Sequence, residues 1–183
     1  NGCIFAFGST GAGKTHSMLG PEGGRRRTSE DGLLPRAAAE LFRRIGQQEG
    51  DARGAGAAAV GFEVRASFLE VYRECAFDLL AGPVCASRDP ARACALREDK
   101  DGCVYAQGAC EEPVRSAAGV LELVARGAAA RTTAATGVHA HSSRSHALLV
   151  LRVERRWRDA ADSRKVKSQV ARLTLVDLAG AEG

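Results

Sequence analysis

Residues Gly8–Met18 read GSTGAGKTHSM and follow directly on the apolar run Cys3-Ile4-Phe5-Ala6-Phe7. Gly8–Thr15 satisfy the pattern G-x-x-x-x-G-K-[ST] in full. Glycines in such a loop let backbone N–H groups curl around the β- and γ-phosphates of a nucleotide. The Lys14 ammonium adds a point charge, and the Thr15 hydroxyl can ligate Mg²⁺. The pattern has this meaning only between a buried strand and a helix, which is the setting that the preceding apolar run and the following residues provide. Gly8, Ser9, Thr10, Gly11, Ala12, Gly13, Lys14, Thr15 and His16 are therefore the candidate nucleotide-binding residues.

Two further segments have the chemistry such a loop needs. LTLVDLAG, residues 173–180, is an apolar strand ending in Asp177, with Gly180 three residues on. An acid at a strand tip can hold Mg²⁺ through water, and the glycine's N–H can approach the γ-phosphate. HSSRSH, His141–His146, sets two adjacent hydroxyls and an arginine just ahead of an apolar run. It reads as a polar cap on a strand or as a switch loop whose serines reach Mg²⁺ and the attacking water. In the second reading Arg144 seeks a carboxylate on the opposite loop, and Glu182 is the candidate.

Between these segments the chain alternates helices and strands. Leu34, Ala37, Ala38, Leu41, Phe42 and Ile45 recur at helical spacing, with Pro35 in the first turn. Gly20–Gly32 is polar, basic and aperiodic, so an exposed loop is expected. Phe62, Val64, Ala66 and Phe68 alternate with Glu63, Arg65 and Ser67 as in a half-buried strand, and CAFDLL after them reads as a short return. Ala81–Asp101 reads as mostly loop. Ser116 is placed to cap a helix with Ala117, Val120, Leu121 and Val124 on its apolar face, ending near Gly127. Ala147–Leu151 and Leu173–Val176 are continuous apolar runs, expected of strands covered on both faces, and the charged Arg155–Lys167 between them reads as a solvated connection. The expected fold is α/β, with a central, mostly parallel β-sheet flanked by helices.

Composition bounds the reading without deciding it. A chain of 183 residues with 45% hydrophobic and 26% charged residues suits one soluble domain. Lys plus Arg exceed Asp plus Glu by only 26 to 22, too little to argue for nucleic acid. No apolar stretch reaches the roughly 20 residues of a membrane span and no secretory leader is evident, so membrane insertion is not expected and a cytoplasmic location is. The six cysteines contain no C-x-x-C pair and their spacing does not suit zinc, so reduced thiols are expected. The chain lacks an initiator Met and opens inside a strand-like run, so a fragment is expected.

Taken together, the chain closely resembles the kinesin motor domain over all 183 residues. FAFGSTGAGKTHSM looks like that family's phosphate loop, HSSRSH like its first switch and VDLAGAE like its second. GLLPRAAAELFRRI, SFLEVYRECAFDLL, LREDKDGCVYAQG and RTTAATGVHAHSSRSH match its other landmarks in order. Myosins share the broad logic, but the SSRSH and DLAG wordings favour kinesin. The resemblance implies a P-loop NTPase fold and a single, partial motor domain over residues 1–183, truncated at both ends. It also implies ATP and Mg²⁺ as nucleotide and metal, microtubules (tubulin) as partner, and a place on the cytoskeleton, with dimerisation left to regions outside the chain.

The resemblance further implies roles residue by residue. Lys14 and Thr15 handle phosphates and Mg²⁺, Ser142 and Ser143 supply switch hydroxyls, and Ser143 and Asp177 join Thr15 around the metal, Asp177 through water. Asp177 and Gly180 sense the γ-phosphate. Arg144 and Glu182 form a latch, and Glu182 helps remove a proton from the attacking water. Departures from the family wording are His139 for Asn, Ser9 for Gln, Ala181 for Ser, Arg73 for Asn after Tyr72, and Gly183 for a charged residue. His139 and Ala181 are the features favouring the alternative of a nucleotide- or microtubule-binding scaffold with weak or no ATPase. A small phosphotransferase would need an acceptor site or lid that no segment resembles.

Overall fold

The computed structural model describes residues 1–21, 31–54, 61–82, 89–100, 102–133, 144–159, 162 and 164–182. Its first element, β1 (Gly2–Ala6), leads through the phosphate loop into α1 (Lys14–Leu19), followed by α2 (Leu33–Gly54). Then come β2 (Gly61–Tyr72), β3 (Cys75–Asp78), β4 (Ala95–Glu98), β5 (Val104–Gln107) and β6 (Glu112–Val114). The chain closes with α3 (Ala117–Thr133), β7 (His146–Arg158) and β8 (Val166–Asp177).

The main sheet runs β1-β8-β7-β2-β3, with β6 beside β3 on the same edge of β2. The α/β class with helices on a central sheet is as expected, but the expected parallel character is corrected. Among the described residues only β1 and β8 pair in parallel; β7–β8, β2–β7, β2–β3 and β2–β6 are antiparallel. For β2–β3 and β7–β8, whose links run only from Tyr72 to Cys75 and from Arg158 to Val166, connection length is the physical reason. Strands joined by short links must reverse direction, whereas parallel neighbours need a long crossover. The charged segment expected as a solvated connection is ladder at its two ends, since Arg155–Arg158 pair with Val166–Gln169. Charge at these ends is compatible with strand where it is paired: Arg156 meets Glu154 at 2.6 Å and Glu63 at 3.5 Å, and Lys167 meets Asp159 at 2.9 Å.

Alternate positions on the strands build one core with the helices. Val64, Ala66 and Phe68 of β2, Leu149 and Leu151 of β7 and Leu175 of β8 are buried with Leu34 and Ala38 of α2 and Val120, Leu123 and Val124 of α3. Ser116 caps α3 as expected, its Oγ accepting from the Gly119 N–H at 3.1 Å. The helix does not end near Gly127 but runs on to Thr133. There Gly127 is a packing residue, because a Cβ at this position would run into the Phe68 ring and lie 3.3 Å from Leu79 Cβ. A glycine that lets a helix approach a strand carries no stop signal, and Ala128–Ala130 beyond it favour helix. Ala81–Asp101, read as mostly loop, contains β4, which pairs with β5 in a separate two-stranded sheet.

The β2–β3 turn places Arg73 and Glu74 at positive φ, 48° and 63°. Two central residues of this kind are the hairpin geometry that favours Asn-Gly. Left-handed backbone costs an ordinary residue roughly 1 kcal/mol, and the exposed stacking of Arg73 on Tyr72, 5.2 Å from ring centre, offsets only about 0.5 kcal/mol. Arg73→Asn combined with Glu74→Gly should therefore raise unfolding stability by about 1 kcal/mol. An unchanged midpoint in denaturant titration of the full-length protein would remove the strain account.

Candidate functional site

Three loops meet at one end of the sheet because of strand direction. β1 and β8 are parallel neighbours, with Ala6 opposite Asp177, so the phosphate loop and the segment after Asp177 leave side by side. β7 runs the other way, with Ala147 opposite Asp177, so the residues ahead of β7 arrive at the same end. Backbone bonds tie these segments together: Leu178 N–H donates to Ala6 C=O at 3.3 Å, and Ala181 N–H to Gly8 C=O at 3.0 Å.

The phosphate loop turns on Gly11 and Gly13, at φ 80° and 82°, a region that favours glycine. The Lys14 ammonium folds over the loop and donates to the carbonyls of Gly8 and Ser9 at 3.0 and 2.8 Å. The Thr15 hydroxyl donates to Asp177 Oδ2 at 2.6 Å. Asp177 Oδ1 is buried and has no hydrogen-bond partner among the described residues. A hydroxyl beside a carboxylate whose second oxygen is buried and unsatisfied is a donor set that fits a hydrated Mg²⁺, which Thr15 and Asp177 would hold.

Glu182 is also brought to this loop. Its Oε1 accepts from the Thr10 N–H at 2.9 Å and from the Thr10 hydroxyl. These two donors, the hydroxyl first, and then the charge of Lys14 hold its carboxyl below the ordinary carboxylate value. For a lowered acid the contact is fully formed above that ordinary value and is lost as pH falls through the lowered one, so it persists at neutral pH. Gly180 lies directly against the pair, where a Cβ would collide with Thr10 Oγ1 and Glu182 Oε1.

Arg144 is exposed and enters no ion pair among the described residues, so the structure does not bring it to Glu182. Ser142, Ser143 and His139 lie outside the described residues. Two neighbours of Arg144 were not singled out from the sequence. His146 Nδ1 accepts from the Ala179 N–H at 3.0 Å, a bond across the two switch-like segments that needs Nδ1 unprotonated. Ser145 is fully buried and bonds Glu70 and Arg131. The available signal was Glu70 itself, an acid at the buried phase of the Val64-Ala66-Phe68 alternation, which demands a partner.

Residues 1–183 match the family model of the kinesin motor domain. Kinesin-like protein KIN-12E of Arabidopsis thaliana is 41% identical over 185 residues, covering 100% of this chain and 14% of that protein. Kinesin-like protein KLP1 of Chlamydomonas reinhardtii is 40% identical, covering 100% of this chain and 21% of that protein. The chain thus spans a fifth or less of KIN-12E and about a fifth of KLP1. Among solved structures, that of a fast kinesin, described with implications for ATPase mechanism and interactions with microtubules, superposes with a TM-score of 0.75 at 33% identity. It covers 100% of this chain and 46% of that one.

Proposed function

The chain belongs to the kinesin motor domain family, and from that premise we propose that it hydrolyses ATP and couples the nucleotide's state to microtubule binding and movement along microtubules. The observation that carries this reading is the convergence of Lys14, Thr15, Asp177, Gly180 and Glu182 at the shared end of β1 and β8. Bound Mg²⁺ supplies charge neutralisation on the β- and γ-phosphates. The chain's own work is positioning. Lys14 is poised to move from loop carbonyls to phosphate oxygens, and the Thr10 N–H to pass from a carboxylate to the nucleotide. Gly180, having no side chain, lets the backbone come close to the γ-phosphate, and Glu182, released from Thr10, can meet Arg144 and take part in removing the proton from water. Loss of the γ-phosphate contact would relax both switch segments and alter track affinity.

The scaffold alternative keeps nucleotide and microtubule binding and lacks turnover, with His139 and Ala181 as the features that favour it. Steady-state ATPase of the full-length protein, with and without microtubules, separates the two. The motor reading expects stimulation by microtubules; nucleotide binding without stimulated turnover would give the scaffold reading its place.

A further inference from the structure

On β2 the helix-facing positions Val64, Ala66 and Phe68 are apolar, and the next position in phase is Glu70, only 1% exposed. A carboxylate at such a site is tolerated only if it is paired and hydrogen-bonded. Arg131 of α3 supplies the charge, with Nε 3.1 Å from Glu70 Oε1, and Ser145 donates its hydroxyl to the same oxygen at 2.7 Å. Arg131 Nη2 in turn donates to both the carbonyl and the hydroxyl of Ser145 at 2.8 Å.

The register of α3 on β2 explains why these groups meet. Gly127 rests on Phe68, and one turn later comes Arg131, while two residues along the strand comes Glu70. Four helical residues advance roughly 6 Å and two strand residues roughly 6.6 Å, so the contact at Gly127 delivers the guanidinium to the carboxylate. Arg131 stands two residues before the end of α3, and Ser145 directly precedes β7 and follows Arg144. The three residues therefore tie together the two ends of the connection between α3 and β7. Three hydrogen bonds join Ser145 to Glu70 and Arg131. An ion pair that served only to dock α3 on the sheet would not need to converge on that residue.

We propose that Glu70, Arg131 and Ser145 are positioning residues, a buried clasp that fixes where the chain re-enters the sheet and so where Arg144 is presented to the nucleotide. This rests on the ATPase reading given above. The clasp acts through Arg144 and touches no nucleotide, so it sets the rate of the chemical step and leaves nucleotide affinity to the phosphate loop.

The test uses the full-length protein with Ser145→Ala, which leaves the ion pair, and Arg131→Lys, which keeps the charge and loses the fork. Nucleotide sites are counted by titration with fluorescent ADP in Mg²⁺, giving both affinity and turnover per site. Microtubule-stimulated turnover per site should fall about tenfold or more in both variants, more in Arg131→Lys, with ADP affinity within about twofold of wild type. Hydrogen exchange of the amides of residues 144–147 should accelerate about tenfold while those of residues 64–68 stay protected. Turnover per site equal to wild type in both variants would overturn the proposal, even if melting temperature dropped, because that is the outcome of a purely stabilising pair. A wild type without turnover would fail the motor reading by itself. The clasp would then be judged by exchange alone, and unchanged protection at residues 144–147 would overturn it.

Discussion

Lys14→Ala is expected to weaken Mg·ATP and Mg·ADP binding on the order of a hundredfold and to remove measurable turnover at micromolar nucleotide. The ammonium is a charge-assisted donor, and such a bond contributes about 3 kcal/mol when its partner is an anionic oxygen in a partly desolvated site. In this structure the same ammonium bridges the carbonyls of Gly8 and Ser9, so it also shapes the loop. Both roles act in one direction: the variant loses the phosphate contact and the loop's preorganisation. Lys14→Arg keeps the charge yet replaces a compact ammonium with a planar fork, so it should recover only part of the affinity. Titration with a fluorescent nucleotide decides the matter, and equal affinity of wild type and Lys14→Ala would remove this loop from the binding site.

Why the phosphate loop and the strand end at Asp177 were legible in the sequence, and Glu70–Arg131–Ser145 was not, follows from the range of the forces involved. Gly8–Thr15 and LTLVD are local signals: backbone φ at Gly11 and Gly13 and an apolar run ending in an acid are set within a few residues. The strand pairing was misread because the direction of a neighbour is not local. Ala147–Leu151 and Leu173–Val176 have the continuous apolar character of strands covered on both faces, yet they are antiparallel partners joined through Arg155–Gln169. Charge in that segment suggested solvent, and the structure answers it by pairing Arg156 with Glu154 along β7 and with Glu63 across on β2. Gly127 misled in the same manner. As a lone glycine after an apolar helix face it reads as a terminator, whereas its function is to admit Phe68, a contact between residues 59 positions apart. The Ser116 cap and the span from the phosphate loop into α1 needed no such distant information, and the sequence reading of both agrees with the structure.

Reversing Arg144 or Glu182 is expected to abolish nearly all ATPase, and reversing both is expected to restore switch closure in part. In the structure Glu182 is held by the Thr10 N–H and hydroxyl while Arg144 is exposed, so a meeting of the two requires the carboxylate to leave the phosphate loop. Nucleotide gives it reason to leave, since an anionic phosphate competes for the Thr10 N–H and repels the carboxylate beside Lys14. The two single variants should then differ in binding though not in turnover. Arg144→Glu leaves the Thr10–Glu182 contact intact and should hold ATP as wild type does. Glu182→Arg removes a competing anion and adds a cation near Lys14, so its ATP affinity should equal or exceed that of wild type. Neither can form an attractive pair across the loops, and both should lose the hydrolysis step. In the double reversal attraction returns, and coupling between contacting charges is about 0.5–3 kcal/mol in a double-mutant cycle. Closure should recover by that much, read by a fluorescence reporter on the segment after Asp177. Turnover should not recover, because an arginine at position 182 cannot accept the proton that Glu182 is placed to help remove from water. Coupling below about 0.3 kcal/mol in the closure signal would mean that the two side chains act independently. The carboxylate's position on Thr10 would then be its working position, and the proton path would have to start from the phosphate loop.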